Sequence, residues 1–147
     1  MTKTFLALLA ATTVGSFATP AFAGECPEGM SGANPLNGAA TMPAGVTDTV
    51  LAAVDLGPEI NVEGRQLRTR RLVVQPGGVV PLHSHADRPA LIYTVSGEIT
   101  EYRSTCMSPI VHRAGDISAE SGGLSHWWKN TGKTEAVLLS SDVFHGK

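Results

Sequence analysis

Beyond its first two dozen residues, the 147-residue chain has no apolar run long enough to cross a bilayer. Nor has it any surplus of positive charge: 11 Lys and Arg stand against 13 Asp and Glu, a formal net charge of −2. Nucleic-acid binders draw affinity from clustered Lys and Arg, so this balance excludes nucleic acid as an expected partner. The one basic cluster, Arg65, Arg68, Arg70 and Arg71, alternates with Leu67 and Leu72 and reads as the solvent face of a strand. Helical periodicity, internal repeats and low-complexity linkers are also missing after residue 23, and the length suits one domain.

The first residues have the layout of an export signal. Lys3 gives a basic start, Phe5 to Val14 is apolar apart from two threonines, and Ala21-Phe22-Ala23 is a small-x-small cleavage site. The run is too short and too interrupted by Thr, Gly, Ser and Pro for an anchor, so no membrane insertion is expected after cleavage. The expected layout is a signal at 1–23, an irregular Gly-, Pro- and Asn-rich segment at 24–45 that wraps the domain or stays mobile, and a folded domain at 46–147. A periplasmic or secreted protein meets oxidising conditions, which bears on the only two cysteines, Cys26 and Cys106. A bond between them would pin the N-terminal segment to the domain. Two free thiols and an intermolecular bridge are the alternatives, and the sequence does not choose.

From residue 46 onward, short runs of Val, Ile, Leu and Tyr are broken by Gly, Pro, Asn and Asp. Strands are expected near 48–56, 66–75, 79–84, 90–96, 98–103, 116–119, 124–130 and 135–143. Many short strands with regular turns predict an all-β sandwich or barrel.

Chemistry concentrates in His83 and His85, an H-x-H pair whose side chains share one face of a strand. The stretch Gly78 to His85, continued to Gly97, resembles the first cupin motif, G-x(4–5)-H-x-H-x(3–4)-E-x(6)-G. Gly115, Gly123, His126 and Asn130 fall in register with the second, G-x(5)-P-x-G-x(2)-H-x(3)-N. The resemblance covers roughly residues 66 to 143. It implies a single jelly-roll (double-stranded β-helix) barrel behind the irregular N-terminal segment, with His83, His85 and His126 as metal ligands.

Two positions depart from the pattern. Ser121 replaces the proline of the second motif, a tolerable change in a turn. Ala90 stands where the first motif has its acidic ligand, which leaves three histidines and no carboxylate. Such a neutral set resembles the three-histidine sites of some cupin dioxygenases, and it would hold one divalent transition metal: Fe, Zn, Cu, Mn or Ni. Asp87 and Glu120 read first as turn residues or as supports of the ligands, with a carboxylate supplied by one of them from a different place as the alternative.

Strand parity directs Ile92 and Thr94 inward beside position 90, and Leu91, Tyr93 and Val95 outward. Trp128 shares the inward face of His126, where it either floors a ligand pocket or fills the core. Arg88, near the expected barrel mouth, either attracts an anionic substrate or is plain surface charge. His112 and His145 fall on no motif position and stay outside the expected site. Two functions remain open: a metal-dependent enzyme acting on a small molecule, such as a dioxygenase, or a non-catalytic module that binds a metal or small ligand. Cupins often pair through their sheets, so the outward Leu91, Tyr93 and Val95 also predict a homodimer.

Overall fold

A computed structural model describes residues 24–146. The expected signal at 1–23 lies outside the described residues. The elements run β1 (Ala44–Asp55), α1 (Leu56–Ile60), β2 (Arg65–Ser84), β3 (Ala90–Ser96), β4 (Glu98–Arg103), β5 (Ile110–Arg113), β6 (Ile117–Glu120), β7 (Ser125–Lys129) and β8 (Ala136–His145). All pairings are antiparallel, in the order β5-β4-β7-β2-β8-β3-β6, with β1 added to β2. The sheet curls into a nearly closed jelly-roll barrel, so the all-β expectation describes the architecture.

The 20-residue β2 is the spine, pairing with β1, β7 and β8. Pro76-Gly77-Gly78 had suggested a turn between two strands, but the chain continues through it. A Pro or Gly is tolerated where a strand is bulged or at an edge. The register of β2 on β7 also slips between Val80 and His83, and this bulge sets His83 opposite His126. β3 and β4 keep their expected bounds. β5 was not anticipated, and neither was the one-turn α1, which Asp55 caps by accepting from Gly57 N.

Alternation along β3 buries Ala90, Ile92 and Thr94 and exposes Leu91, Tyr93 and Val95. Ile92 packs with Leu72, Val74, Ile99, Trp128 and Leu138 in the apolar core. The basic cluster on β2 departs from its expected surface role. Arg68 and Arg70 share the inward parity of Leu72 and Val74, whereas Leu67 is 48% exposed. The two arginines turn their heads onto Asp142 of β8.

The motif positions have local reasons. Gly97 turns β3 into β4 at φ +74°, and a Cβ there would lie 2.4 Å from the Glu135 carbonyl oxygen, so a side chain does not fit. Asn130 is fully buried. Its amide nitrogen donates to the Val74 and Thr134 carbonyls, both at 2.8 Å, while its oxygen accepts from Gly132 N at 2.9 Å. Asn130→Ala strands these backbone groups and is expected to cost about 2–3 kcal/mol, read as a lower urea midpoint at unchanged slope.

Residues 24–45 form no regular element before Ala44, yet they are docked. Cys26 and Cys106 are joined in a disulfide, and Ser31 bridges Cys106 in a short ladder. Gly32 N and Asn34 N donate to the carbonyls of Thr105 and Ser104, and Leu82 N donates to Ala40 O at 2.7 Å.

Candidate metal centre

Four side chains converge inside the barrel: His83 and His85 from the end of β2 and the residue beyond it, Glu120 from the end of β6, and His126 from β7. One ligand atom from each lies within 4.8 Å of all the others. Backbone pairing explains the convergence. His83 faces His126 across the β2–β7 ladder, and Glu120 faces Ala90 across the β3–β6 ladder.

Hydrogen bonds fix which ring nitrogens are bare. His83 Nδ1 donates to the Pro81 carbonyl at 2.8 Å, and His85 Nδ1 donates to the Arg88 carbonyl at 2.6 Å. Carbonyls only accept, so both rings carry a proton on Nδ1, and in the neutral form each presents Nε2 as a lone pair. His126 Nδ1 donates to the Glu101 carboxylate, which leaves the third Nε2 facing the cluster. Burial opposes the charge on Glu101, but hydrogen bonds from His112, His126 and Arg103 outweigh it and hold the carboxyl ionised, below the usual carboxylate range.

The bare atoms crowd one point. His83 Nε2 and His126 Nε2 are 3.1 Å apart, and His85 Nε2 lies 3.0 Å from a Glu120 oxygen. A hydrogen bond between the two rings would require one of them to be a cation. Burial, followed by the neighbouring His126 charge, lowers the His83 pKa to about 4, so that ring is neutral at pH 7. His85 Nε2 is buried and has no hydrogen-bond partner among the described residues, although a carboxylate oxygen is close by. Neutral rings in this arrangement set lone pairs against one another and against a carboxylate, which a cation bound between them relieves. Three imidazoles and one carboxylate are a donor set that fits a divalent transition metal.

This changes the expected ligand set. The carboxylate thought lost at Ala90 is supplied by Glu120, its partner across the strand pair, and Glu120 is not merely a turn residue. Asp87 takes no part. It is exposed and accepts from His145 Nε2 at 2.7 Å.

The cluster opens into a cavity of about 200 Å³. That suits a ligand of a few heavy atoms and is below the size of sites that hold drug-sized molecules. Ile92 and Trp128 line it with Leu72, Val80 and Leu138. Arg88 lines it too, beside Arg70 and Asp48. Thr94 is buried but is not part of the lining, so the inward face of β3 contributes Ile92 alone of the two expected residues. Trp128 serves as both core and cavity wall.

Arg68 grips the fully buried Asp142 with two hydrogen bonds of 3.0 and 2.9 Å, and Arg88 adds one of 2.8 Å. Burial would raise the Asp142 pKa, but Arg68, Arg70 and Arg88 together lower it. Arg70 also pairs with Asp48. Three arginines against two aspartates give this ionic cluster one net positive charge, and Arg70, Arg88 and Asp48 are its members that line the cavity.

Two buried groups stand behind the site: Glu101, which was missed, and His112, which had been left outside it. His112 Nε2 donates to Glu101 at 2.8 Å, and its ring packs 4.6 Å from that of Trp128. The sequence signal was faint: a single Glu inside a strand, and a His on a four-residue strand that was not anticipated.

Residues 70–142 match the Cupin_2 family, described as the cupin domain. This barrel is a cupin domain. Among curated proteins, it is 32% identical over 105 residues to Germin-like protein 1 of Brassica napus, covering 66% of this chain and 50% of that protein. It is 35% identical over 82 residues to Germin-like protein 8-14 of Oryza sativa subsp. japonica, covering 53% of this chain and 38% of the relative. The chain thus spans about half the length, or less, of these curated relatives. A solved structure of oxalate oxidase in complex with the substrate analogue glycolate superposes with a TM-score of 0.53 at 28% identity. The match covers 69% of this chain and 52% of that one. A predicted oxalate decarboxylase of Thermotoga maritima aligns over 73% of this chain and 94% of its own with a TM-score of 0.55, and at 21% identity it speaks to the fold alone.

Proposed function

We propose that this cupin domain holds one divalent transition metal through His83, His85, Glu120 and His126 and acts as a metalloenzyme on a small organic acid. The observation that carries the reading is the convergence of three imidazoles and one carboxylate, with one ligand atom of each within 4.8 Å of all the others inside the barrel. When bound, the metal supplies Lewis-acid or redox chemistry at the cavity floor.

The chain's own residues would do the rest. Trp128, Leu72, Val80 and Leu138 keep the cavity apolar and limit water around the reacting group. The positive rim of Arg70 and Arg88 attracts and orients an anion. The cavity volume restricts that anion to a few heavy atoms, and the glycolate complex of the related oxalate oxidase supports a small carboxylate. The disulfide supports an extracytoplasmic setting, in keeping with the expected export signal.

Elemental analysis of protein purified from its own compartment is expected to give about one transition-metal ion per chain. His126→Ala is expected to lose most of that metal and any turnover of glycolate or oxalate. A metal-free protein that cannot be reconstituted would overturn the proposal.

The second reading is a binding module without turnover. It is favoured by the cavity lining, where Asp48, Arg70 and Arg88 are the described titratable groups besides the four ligands. Arg stays protonated and Asp48 is tied to Arg70, so neither is an evident general base. Glycolate that raises the melting temperature of the metal-loaded protein without being consumed would select this reading.

A further inference from the structure

Behind the ligands lies a buried ionic cluster whose centre is Arg103, the last residue of β4. Its Nε donates to Glu101 Oε1 at 2.6 Å, and the same carboxylate accepts from His126 Nδ1. Its Nη2 donates to Ser118 Oγ, and Ser118 in turn donates to Glu120 at 3.5 Å. One guanidinium therefore reaches two of the four ligands by separate routes, His126 through Glu101 and Glu120 through Ser118.

The same Nη2 has a second contact, the carbonyl of Gly24, at 3.2 Å. Gly24 is buried at φ +101°. A Cβ on it would lie 2.4 Å from the Ile117 carbonyl and 3.1 Å from His112 Nδ1, so it is pressed against both β6 and β5. Two residues later, Cys26 is bonded to Cys106, only three residues beyond Arg103. The disulfide thus holds the Gly24 carbonyl on the guanidinium. A planar guanidinium keeps its fork only while its donors are satisfied in one plane, and a lost acceptor frees it to turn toward water.

We propose that Arg103 is a positioning residue for the metal ligands, and that the Cys26–Cys106 disulfide completes it by seating Gly24 on its guanidinium. The inference rests on the metal reading above. It predicts that a bond at the N-terminal edge of the barrel alters metal affinity at the far side of β4, with Arg103 as the link.

The test is cobalt(II) binding, measured by chelator competition and visible absorption, with thermal melting of each metal-free protein as a control for folding. Outer partners of metal ligands typically contribute roughly 10–100-fold in affinity. Arg103→Lys and the paired Cys26→Ser/Cys106→Ser variant are each expected to weaken cobalt binding by roughly that range and to shift the cobalt spectrum. Because both act through the same group, combining them is expected to weaken binding little more than Arg103→Lys alone. Ser118→Ala, which keeps every charge, is expected to lose roughly tenfold and carries the test if Arg103→Lys fails to fold. A folded disulfide-free protein with wild-type affinity and spectrum would overturn the inference, as would losses that multiply or an unaffected Ser118→Ala. If those variants match a wild type that binds cobalt, the inference fails alone. If the wild type binds no cobalt, the metal reading fails and takes the inference with it.

Discussion

Glu120→Gln is expected to weaken divalent-metal binding by on the order of 100- to 1000-fold while leaving the metal-free barrel folded. Removing one member of a buried charge pair typically costs about 3–5 kcal/mol, and Glu120 is the one anion whose oxygen faces the bare nitrogens. The informative companion is the double variant Ala90→Glu/Glu120→Ala. Ala90 and Glu120 are opposite each other in the β3–β6 ladder, and Ala90 is buried. Directly opposed residues place their Cβ atoms about 4.5–5.5 Å apart on one face, so a glutamate at 90 has the reach to present its carboxylate to the same point. The exchange also conserves side-chain volume, which limits strain. Metal affinity of the double variant is expected to recover to within about tenfold of wild type. Unchanged affinity in Glu120→Gln, by isothermal titration with zinc or manganese, would return the site to three neutral histidines.

Acid is expected to destabilise the metal-free protein well before ordinary carboxylates titrate. His83 has a folded pKa of about 4 against an unfolded value of 6.5. Burial is the main cause, with the neighbouring His126 charge next. Between those two values the unfolded chain binds a proton that the folded one refuses, so each step of acid favours unfolding. The contribution is absent above pH 6.5, grows as pH falls, and levels off near pH 4 at about 3 kcal/mol. Below that, Glu101 and Asp142 add a further loss, because both carboxyls are held below their usual range and must be protonated. Urea melts of chelator-treated protein between pH 7.5 and 4 test this, with His83→Gln expected to flatten the upper part of the curve. A flat profile from pH 6.5 to 4.5 in the wild type would contradict the assignment.

Both predictions concern residues whose legibility in the sequence differed. His83, His85 and His126 could be found because their spacing along the chain reflects strand parity and turn length. Glu120 was ranked as a support and not as a ligand because the cupin pattern counts its carboxylate along β3, whereas this chain delivers it from β6. Which residue opposes Ala90 is a property of sheet register, and no spacing within one strand encodes it. The Arg68–Arg70 cluster was misplaced for a related reason. Leu67 was taken as the inward residue, but parity in β2 runs through Leu72 and Val74, and the arginines are tolerated inside because Asp142 receives them. β5 escaped notice because four residues, Ile110–Arg113, are too few to show alternation, and without that strand nothing placed His112 behind the site. The core strands β3 and β4 were legible because each is bounded by clear turns and alternates or clusters its apolar residues.

The bulge in β2 has a consequence for how tightly the site is tied to chain length. Between the rungs Val80–Trp128 and His83–His126, one strand advances three residues and the other two. The extra residue acts as a phase shifter: upstream of it β2 counts its inward face on even numbers, downstream on odd. It also frees the Pro81 carbonyl from the ladder to hold the His83 ring. An unbroken β2 of the same length, paired residue for residue past Val80, would instead turn both His83 and His85 onto the outer wall. The metal centre is thus written partly in an irregularity, and a more regular barrel would be a blind one.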